Sequence, residues 1–251
     1  MALLTSKLDK STPVPLYYQL KELVLEAIAS GEYAVGSTIP TEQELSQAFG
    51  ISRTTVRQAI TELVQEGRLY REKSKGTFVA EPKINQDFIQ KLESFNEQIR
   101  RSGHRPWTEV LEMSVCQPPR EIAEVLQLKN EEPALYIHRR RFADEDPIVT
   151  VQTYLPYGLC RGLQEEDWSQ CSLYGALDCQ EQTKIRYVQR RVEAVQATKS
   201  DMERLQITAD TPILHFRTVG YTAAQRPIEY SLARYRGDRS SFDVTVFRDM
   251  G

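Results

Sequence analysis

The chain has little from which a metal site or a disulfide framework could be built. Its 251 residues include only four cysteines, Cys116, Cys160, Cys171 and Cys179, and three histidines, His104, His138 and His215. No two cysteines form a C-x-x-C pair, so they read as reduced thiols, mostly packing groups, and no metal or cofactor is implied. The histidines fall into no nucleophilic or metal-ligand constellation, and no catalytic residue is implied. No run approaches the roughly 18 apolar residues of a membrane span, and Met1 to Pro15 is too polar for a signal peptide, which predicts a cytoplasmic protein with no membrane partner. A charge excess is missing as well. There are 32 Lys and Arg against 35 Asp and Glu, a net charge of −3, which excludes a nonspecific nucleic-acid coat and leaves local charge as the relevant feature. The length is large for one compact domain, so a small head and a larger body are expected.

What is present begins with Thr41 to Gly67, which reads as two helices joined by one tight turn, a helix-turn-helix. Thr41 is placed to cap the first helix, and Glu44, three residues on, to close a capping box. Leu45, Ala48 and Phe49 form its apolar stripe. Gly50 permits the turn, and Ser52 caps a second helix whose inward face is Val56, Ala59, Ile60 and Leu63. Thr54, Arg57, Gln58 and Thr61 then point outward. Arg53 sits in the first turn, where free backbone N–H groups favour phosphate. An arginine fork can grip guanine O6 and N7 in the major groove, and threonine can contact phosphate or a thymine methyl. The alternative is a solvated helix face that carries two arginines.

Leu16, Leu20, Leu23, Val24, Ala27 and Ile28 mark a supporting helix that ends at Gly31. Arg68 to Val79 reads as a short hairpin, a wing, with Lys73, Lys75 and Gly76 at its tip. Between Ile51 and Ala80 six basic residues (Arg53, Arg57, Arg68, Arg71, Lys73 and Lys75) face three acids (Glu62, Glu66 and Glu72), so the positive charge is local, as a phosphate footprint needs.

These residues resemble the GntR family of bacterial transcription regulators. The resemblance is carried by Pro15-Leu-Tyr-Tyr-Gln19, Ile39-Pro-Thr-Glu42, Leu45, Ser52-Arg-Thr-Thr-Val-Arg-Gln-Ala59, Leu63, Gly67 and Gly76-Thr-Phe-Val79. It implies a winged helix-turn-helix in which Arg53, Thr54, Thr55 and Arg57 meet double-stranded operator DNA and Gly76 brings the wing into the minor groove. Gln58 and Lys75 join that face from their outward positions. Gln43 stands where many members have a base-reading arginine, and Ser74-Lys-Gly76 replaces the usual Gly-x-Gly of the wing.

A Pro-containing polar stretch beginning at Ala80 separates the head from the rest of the chain. The expected organisation is a flexible N-terminus over 1–12, a DNA-binding domain over 13–81, a linker over 82–92 and an effector-binding and dimerisation domain over 93–251. Within the last lies a weak internal repeat. A strand ending near Val115 leads to a helix with Leu126-x-Leu128, then to strands at Pro133 and Pro147. Val192 to Val195 leads to Leu205-x-Ile207, then to strands at Pro212 and Pro227. In both copies the leucine precedes the first proline by seven residues, which predicts two strand-helix-hairpin units completing one antiparallel sheet with helices on one face, an α+β body.

This half resembles the UTRA domain, the effector-sensing part of the HutC branch of GntR regulators, whose fold is like that of chorismate lyase. The carriers are Ser94-Phe95, Gly103, Arg139-Arg-Arg141, Pro147-Ile148, Tyr154-Leu-Pro156, Ser172-Leu-Tyr174, Glu229-Tyr-Ser231 and Tyr235-Arg-Gly-Asp-Arg239. On a strand, Arg139 and Arg141 share one face with Ile137 while Arg140 takes the other. Two guanidinium groups on an apolar face need an acid or an anionic ligand. Ser94 and Ser172 are placed to cap helices from about Phe95 to Ser102 and Leu173 to Gln182, whose N-termini suit phosphate. Glu229, Ser231, Ala233 and Tyr235 share another strand face. The resemblance implies that Ser94, Arg139, Arg141, Ser172, Tyr174, Glu229 and Tyr235 bind a small anionic effector such as a sugar phosphate. Val151 replaces a glutamate that binds the sugar in some members. The alternative for Arg139 and Arg141 is ion pairing with Glu131, Glu132 or Asp144.

The expectation is a ligand-responsive transcriptional repressor that binds a palindromic operator as a homodimer. Two other readings stand beside it: a lyase-like enzyme acting on a small anionic substrate, and an architectural DNA-binding dimer without effector.

Overall fold

A computed structural model describes residues 3–72, 74–81, 83–85, 93–129 and 131–245. Lys73 of the expected wing tip, and residues 82 and 86–92 of the expected linker, lie outside the described residues. The chain divides into two compact units, Met1–Lys83 and Ile84–Gly251.

In the head, α1 (Leu16–Ala29), α2 (Glu42–Phe49) and α3 (Arg53–Gln65) precede an antiparallel hairpin of β1 (Leu69–Glu72) and β2 (Gly76–Val79). Thr41 Oγ1 accepts from Glu44 N at 3.2 Å, and the Glu44 carboxylate accepts from Thr41 N at 2.8 Å, so the capping box closes. Gly50 takes φ 59° and ψ 42°, the left-handed conformation that a side chain penalises. This allows Ser52 to cap α3 almost at once, accepting from Thr55 N at 3.1 Å. Val56, Ala59, Ile60 and Leu63 are buried against Leu20, Val24 and Ala27 of α1 and Leu45 and Phe49 of α2. Ala48, expected in the stripe of α2, is exposed; Leu45 and Phe49, one turn apart, bury that helix without it. The N-terminus also departs from expectation. Leu3–Thr5 form a 3-10 turn, Leu3 is 1% exposed in the head core, and its N–H donates to the Glu32 carboxylate at 3.0 Å. Leu4 and Leu8 pack on the same core, and the apolar surface removed from water opposes the entropy of ordering so short a segment.

The second unit is built on a six-stranded antiparallel sheet. Its elements in chain order are β3 (Ile84–Asn85), α4 (Phe95–Arg101), β4 (Pro106–Cys116), α5 (Arg120–Val125), β5 (Ala134–Ala143), β6 (Asp146–Pro156), α6 (Tyr157–Cys160), α7 (Leu173–Leu177), β7 (Tyr187–Val195), α8 (Lys199–Leu205), β8 (Ile213–Tyr221), β9 (Pro227–Arg236) and β10 (Ser240–Ser241). The strand order β4-β5-β6-β9-β8-β7 joins the two repeat copies through β6 and β9, each copy running outward to its first strand. The repeat extends to its details. α8 ends at its leucine, Leu205, and α5 one residue before its own, Leu126, and in each copy the residue after the leucine, Gln127 or Gln206, takes φ 54°. A short parallel pair, β3 with β10, lies outside the main sheet.

Helices cover both faces of the sheet, not one. Ile122 and Leu126 of the α5 segment pack on Tyr230, while Leu173, Ala176 and Leu177 of α7 pack with Leu135, Ile137 and Leu155. Alternation along each strand therefore separates two apolar environments, and β5 is buried along nearly its whole length.

Candidate nucleic-acid interface and ligand pocket

The head displays the expected recognition residues on one helix and its flanks. Arg53, Thr54, Arg57 and Gln58 are exposed on α3, Gln43 is exposed on α2, and Lys75 and Gly76 are exposed at the hairpin tip. Gly76 adopts φ 133°, with open space where a Cβ would stand. Thr55 is only half-exposed, and its hydroxyl lies 2.8 Å from Ser52 Oγ, so it serves the helix cap. Arg57 Nε donates to Glu42 at 3.1 Å, and Arg71 Nη2 donates to the other Glu42 oxygen at 3.0 Å and to Thr61 Oγ1 at 3.3 Å. One carboxylate thus links the outward face of α3 to the wing. Such exposed pairs add little stability. Lys75 pairs with Glu72 at 2.8 Å. Sequence reasoning missed Glu42 and counted Arg71 only as charge, because nothing local connects residues 15 and 29 positions apart.

In the second unit, all seven residues named for the effector line one cavity: Ser94, Arg139, Arg141, Ser172, Tyr174, Glu229 and Tyr235. Strand register explains how. One row across the sheet reads Arg139, Val151, Ala233, Phe216; the next reads Ile137, Thr153, Ser231, Thr218, Arg190. Val151 therefore lies beside Arg139 on the cavity floor. Opposite the strands stand the beginnings of α4 and α7.

Arg139 is 1% exposed. Neither it nor Arg141 has a carboxylate partner among the described residues, and Arg139 Nε and Nη1 and Arg141 Nε are buried without a hydrogen-bond acceptor. The alternative acids are engaged elsewhere or distant: Asp144 bonds His104 Nδ1 at 2.6 Å and Arg105 N at 2.9 Å, and Glu132 accepts from Lys129 N. What holds the guanidiniums is aromatic. Arg139 lies 5.4 Å from the Trp168 ring centre and Arg141 lies 5.2 Å from that of Phe95. Burial, and then Arg141 beside it, push the Arg139 guanidinium well below the ordinary arginine value, and burial also lowers Arg141. Glu229, in the same cavity, offsets part of this charge without forming an ion pair, and an anion would supply the rest. Arg140 on the opposite face is paired instead, donating from Nε to Glu109 at 2.8 Å.

The other end of the cavity is polar. Glu229 is 3% exposed, its Oε1 accepts from Ser231 Oγ at 2.6 Å, and burial raises its pKa against the pull of Ser231, Arg190, Tyr174 and Arg139. Arg190 Nη2 donates to the Tyr174 hydroxyl at 3.2 Å. Burial pushes Tyr235 up to about 12 and raises Tyr174 too, so both phenols stay neutral. Gly220 faces Glu229 across β8 and β9, where an added Cβ would stand 2.7 Å from Ile185 Cδ1 and 3.0 Å from Glu229 Oε2.

The helix ends contribute less than expected. α4 has seven residues and α7 only five; α7 stops at Leu177, whose carbonyl accepts from Thr183 Oγ1 at 2.6 Å, well before Gln182. Ser94 Oγ already accepts from Glu97 N at 3.2 Å in a capping box, and Ser172 Oγ from Gly175 N at 3.4 Å. The anion-attracting groups are therefore the two arginines more than the helix dipoles. Sequence reasoning missed Arg190, Gln98, Thr108, Thr153 and Thr218, which also line the cavity.

Residues 16–79 match the bacterial regulatory proteins of the gntR family, and residues 101–241 match the UTRA domain. Among proteins similar along almost the whole chain is the HTH-type transcriptional repressor NagR of Bacillus subtilis, 32% identical over 94% of this chain and 96% of its own. The HTH-type transcriptional regulator GgaR of Escherichia coli is 30% identical over 95% and 94%. The mannosyl-D-glycerate transport/metabolism system repressor MngR of Escherichia coli is 29% identical over 93% and 97%. Among solved structures, PhnF from Mycobacterium smegmatis superposes with a TM-score of 0.64 at 25% identity, covering 92% of this chain and 98% of that one.

Proposed function

Since the chain belongs to the gntR family of bacterial regulatory proteins, in the HutC branch that carries a UTRA domain, and is a DNA-binding transcription regulator and not an enzyme, we propose that it is a repressor switched by a small anionic metabolite. In this reading two heads of a homodimer hold the half-sites of a palindromic operator in the cytoplasm, with Arg53, Thr54, Arg57 and Gln58 toward the bases and Lys75 and Gly76 at the wing. The observation that carries the ligand is the Arg139 and Arg141 pair, buried in one cavity and, among the described residues, in ion pair with no carboxylate. A phosphate monoester dianion matches two guanidiniums in charge and hydrogen-bonding shape. Glu229, Tyr174 and Tyr235 would then meet the carbon skeleton. One relative represses a mannosyl-D-glycerate system, which favours a sugar-derived effector. Val151 supplies no acceptor to a sugar hydroxyl, so the skeleton differs from that of members with glutamate there.

The same geometry offers a route from ligand to head. Phe216 and Tyr235 line the cavity, and Phe242 packs on both, with ring centres 4.7 and 5.5 Å away. Phe242 follows β10, which pairs with β3, and Ile84 N donates to Arg239 O at 2.8 Å. Ile84 itself packs in one cluster with Phe95, Phe216 and Tyr235, and the chain runs directly from it to Lys83 of the head. A ligand that shifts this aromatic cluster thereby acts on the anchor of the connecting segment, by no more than its differential affinity for the two arrangements.

A thermal-shift screen of sugar phosphates, amino-sugar phosphates, free sugars and small organic acids tests the reading, followed by operator binding with and without the hit. Stabilisation confined to phosphorylated compounds is expected, about 2.7 kcal/mol at one hundred times the dissociation constant. Operator affinity unchanged by a saturating hit would end the switching proposal.

A further inference from the structure

Resting on the ligand reading above, we propose that Gln98 is a specificity-determining residue of the cavity, selecting anions that carry a hydroxyl or amide close to the charged group. Gln98 lies on α4 one turn beyond Ser94, to whose carbonyl its backbone N–H donates at 3.2 Å. It is 1% exposed and lines the cavity. Neither its Nε2 nor its Oε1 has a hydrogen-bond partner among the described residues. Two other neutral groups of the cavity are bonded: Thr153 Oγ1 lies 3.1 Å from Ser231 Oγ, and Ser231 donates to Glu229. A primary amide buried with both ends unmet is costly and uncommon, and at a ligand cavity the missing partner is the ligand.

The chemistry of that partner follows from the two ends of the amide. A phosphate dianion only accepts, so it satisfies Nε2 and leaves Oε1 facing negative charge. A hydroxyl both donates and accepts and can meet Oε1 while the phosphate meets Nε2. Phe95, one turn earlier on the same helix, stacks under Arg141, which sets Gln98 toward the arginine end of the cavity. The group it reads therefore sits near the anion. A phosphorylated sugar or polyol has such a hydroxyl; inorganic phosphate does not, and binding it leaves Gln98 half-paired.

The test is Gln98→Leu in the full-length protein, titrated with glucose 6-phosphate and with inorganic phosphate, alongside a melt without ligand and a parallel Arg139→Met protein. Leucine keeps the volume and removes the unmet amide. The expected result is a ligand-free melting temperature unchanged or raised, both compounds bound more weakly through the lost amide N–H, and glucose 6-phosphate weakened about tenfold more than inorganic phosphate, so that the preference falls by that factor. A preference unchanged while Arg139→Met abolishes binding would overturn the role of Gln98 and leave the anion cavity standing. A lower melting temperature with unchanged affinity would make Gln98 a structural group and also overturn it. Failure of both compounds to bind the wild type would remove this proposal together with the ligand reading.

Discussion

Arg139→Met isolates the feature on which the ligand reading depends. In the ligand-free protein the change removes a buried guanidinium with no carboxylate partner and Nε and Nη1 unmet. Replacing a buried charge that forms no ion pair by an apolar chain of similar length is neutral to stabilising, by roughly 1–4 kcal/mol, less the attraction it loses to Glu229. It is offset by the lost cation–π contact with Trp168, about 0.5–2 kcal/mol. The net expectation is a body that melts at the same temperature or higher, by about 2–4 °C for each kcal/mol gained. With ligand the sign reverses. Two charge-assisted hydrogen bonds at about 1.5–3 kcal/mol each are forfeited, a loss of about 3–6 kcal/mol, or roughly 10²–10⁴ in affinity. Calorimetric titration with the strongest compound of the screen, and melting curves with and without it, read both effects on one protein. A variant that melts lower when ligand-free, yet keeps its ligand affinity, would refute the reasoning by showing that Arg139 supports the fold and not the ligand.

Arg57→Ala is expected to cost roughly 1–3 kcal/mol on the best operator and to relax base preference. Lys75→Ala should weaken all duplexes alike and flatten the salt slope by about one unit, both read by titration at several salt concentrations; the same sequence-independent loss in both would misplace the recognition helix. His138 is 4% exposed, and burial, then Arg204, push it down to about 4 from an ordinary 6.5. The folded state thus favours the neutral ring, so its stabilising effect is complete above pH 6.5 and declines as the unfolded chain takes up a proton between about 6.5 and 4, by up to about 3 kcal/mol. Denaturant titrations of wild type and His138→Phe across that range should show the slope only in the wild type. Phe242→Ala should leave effector affinity within a few-fold while reducing the effector's influence on operator affinity; coupling retained in full would remove the aromatic route.

Much of the head was legible because its signals are local. Thr41 with Glu44, Gly50, and the spacing of Val56, Ala59, Ile60 and Leu63 each act within one or two helical turns, and each forms as read. Ala48 was misassigned because helical spacing places a residue near a buried face without saying how wide that face is. In the body, the paired prolines and leucines exposed a repeat, and the repeat implied the antiparallel sheet. Alternation along β5 and β9 placed Arg139 with Arg141 and Glu229 with Tyr235, since a strand fixes the relative facing of its own residues.

The sequence by itself determined the winged head, the two-copy body and which strand faces carry charge, because caps, turns and periodicities are set by neighbours in the chain. Tertiary structure alone decided which strand lies beside which. Arg190 reaches the cavity because β7 pairs with β8, in a row through Thr218 and Ser231 to Thr153. It alone decided that Glu42 joins Arg57 to Arg71 across the head, and that Gln98 is buried with its amide unmet. Each of these depends on the packing of segments distant in the chain, in the head on the wing against α2 and α3 and in the body on strand register and the covering of the sheet, which no run of neighbouring residues specifies.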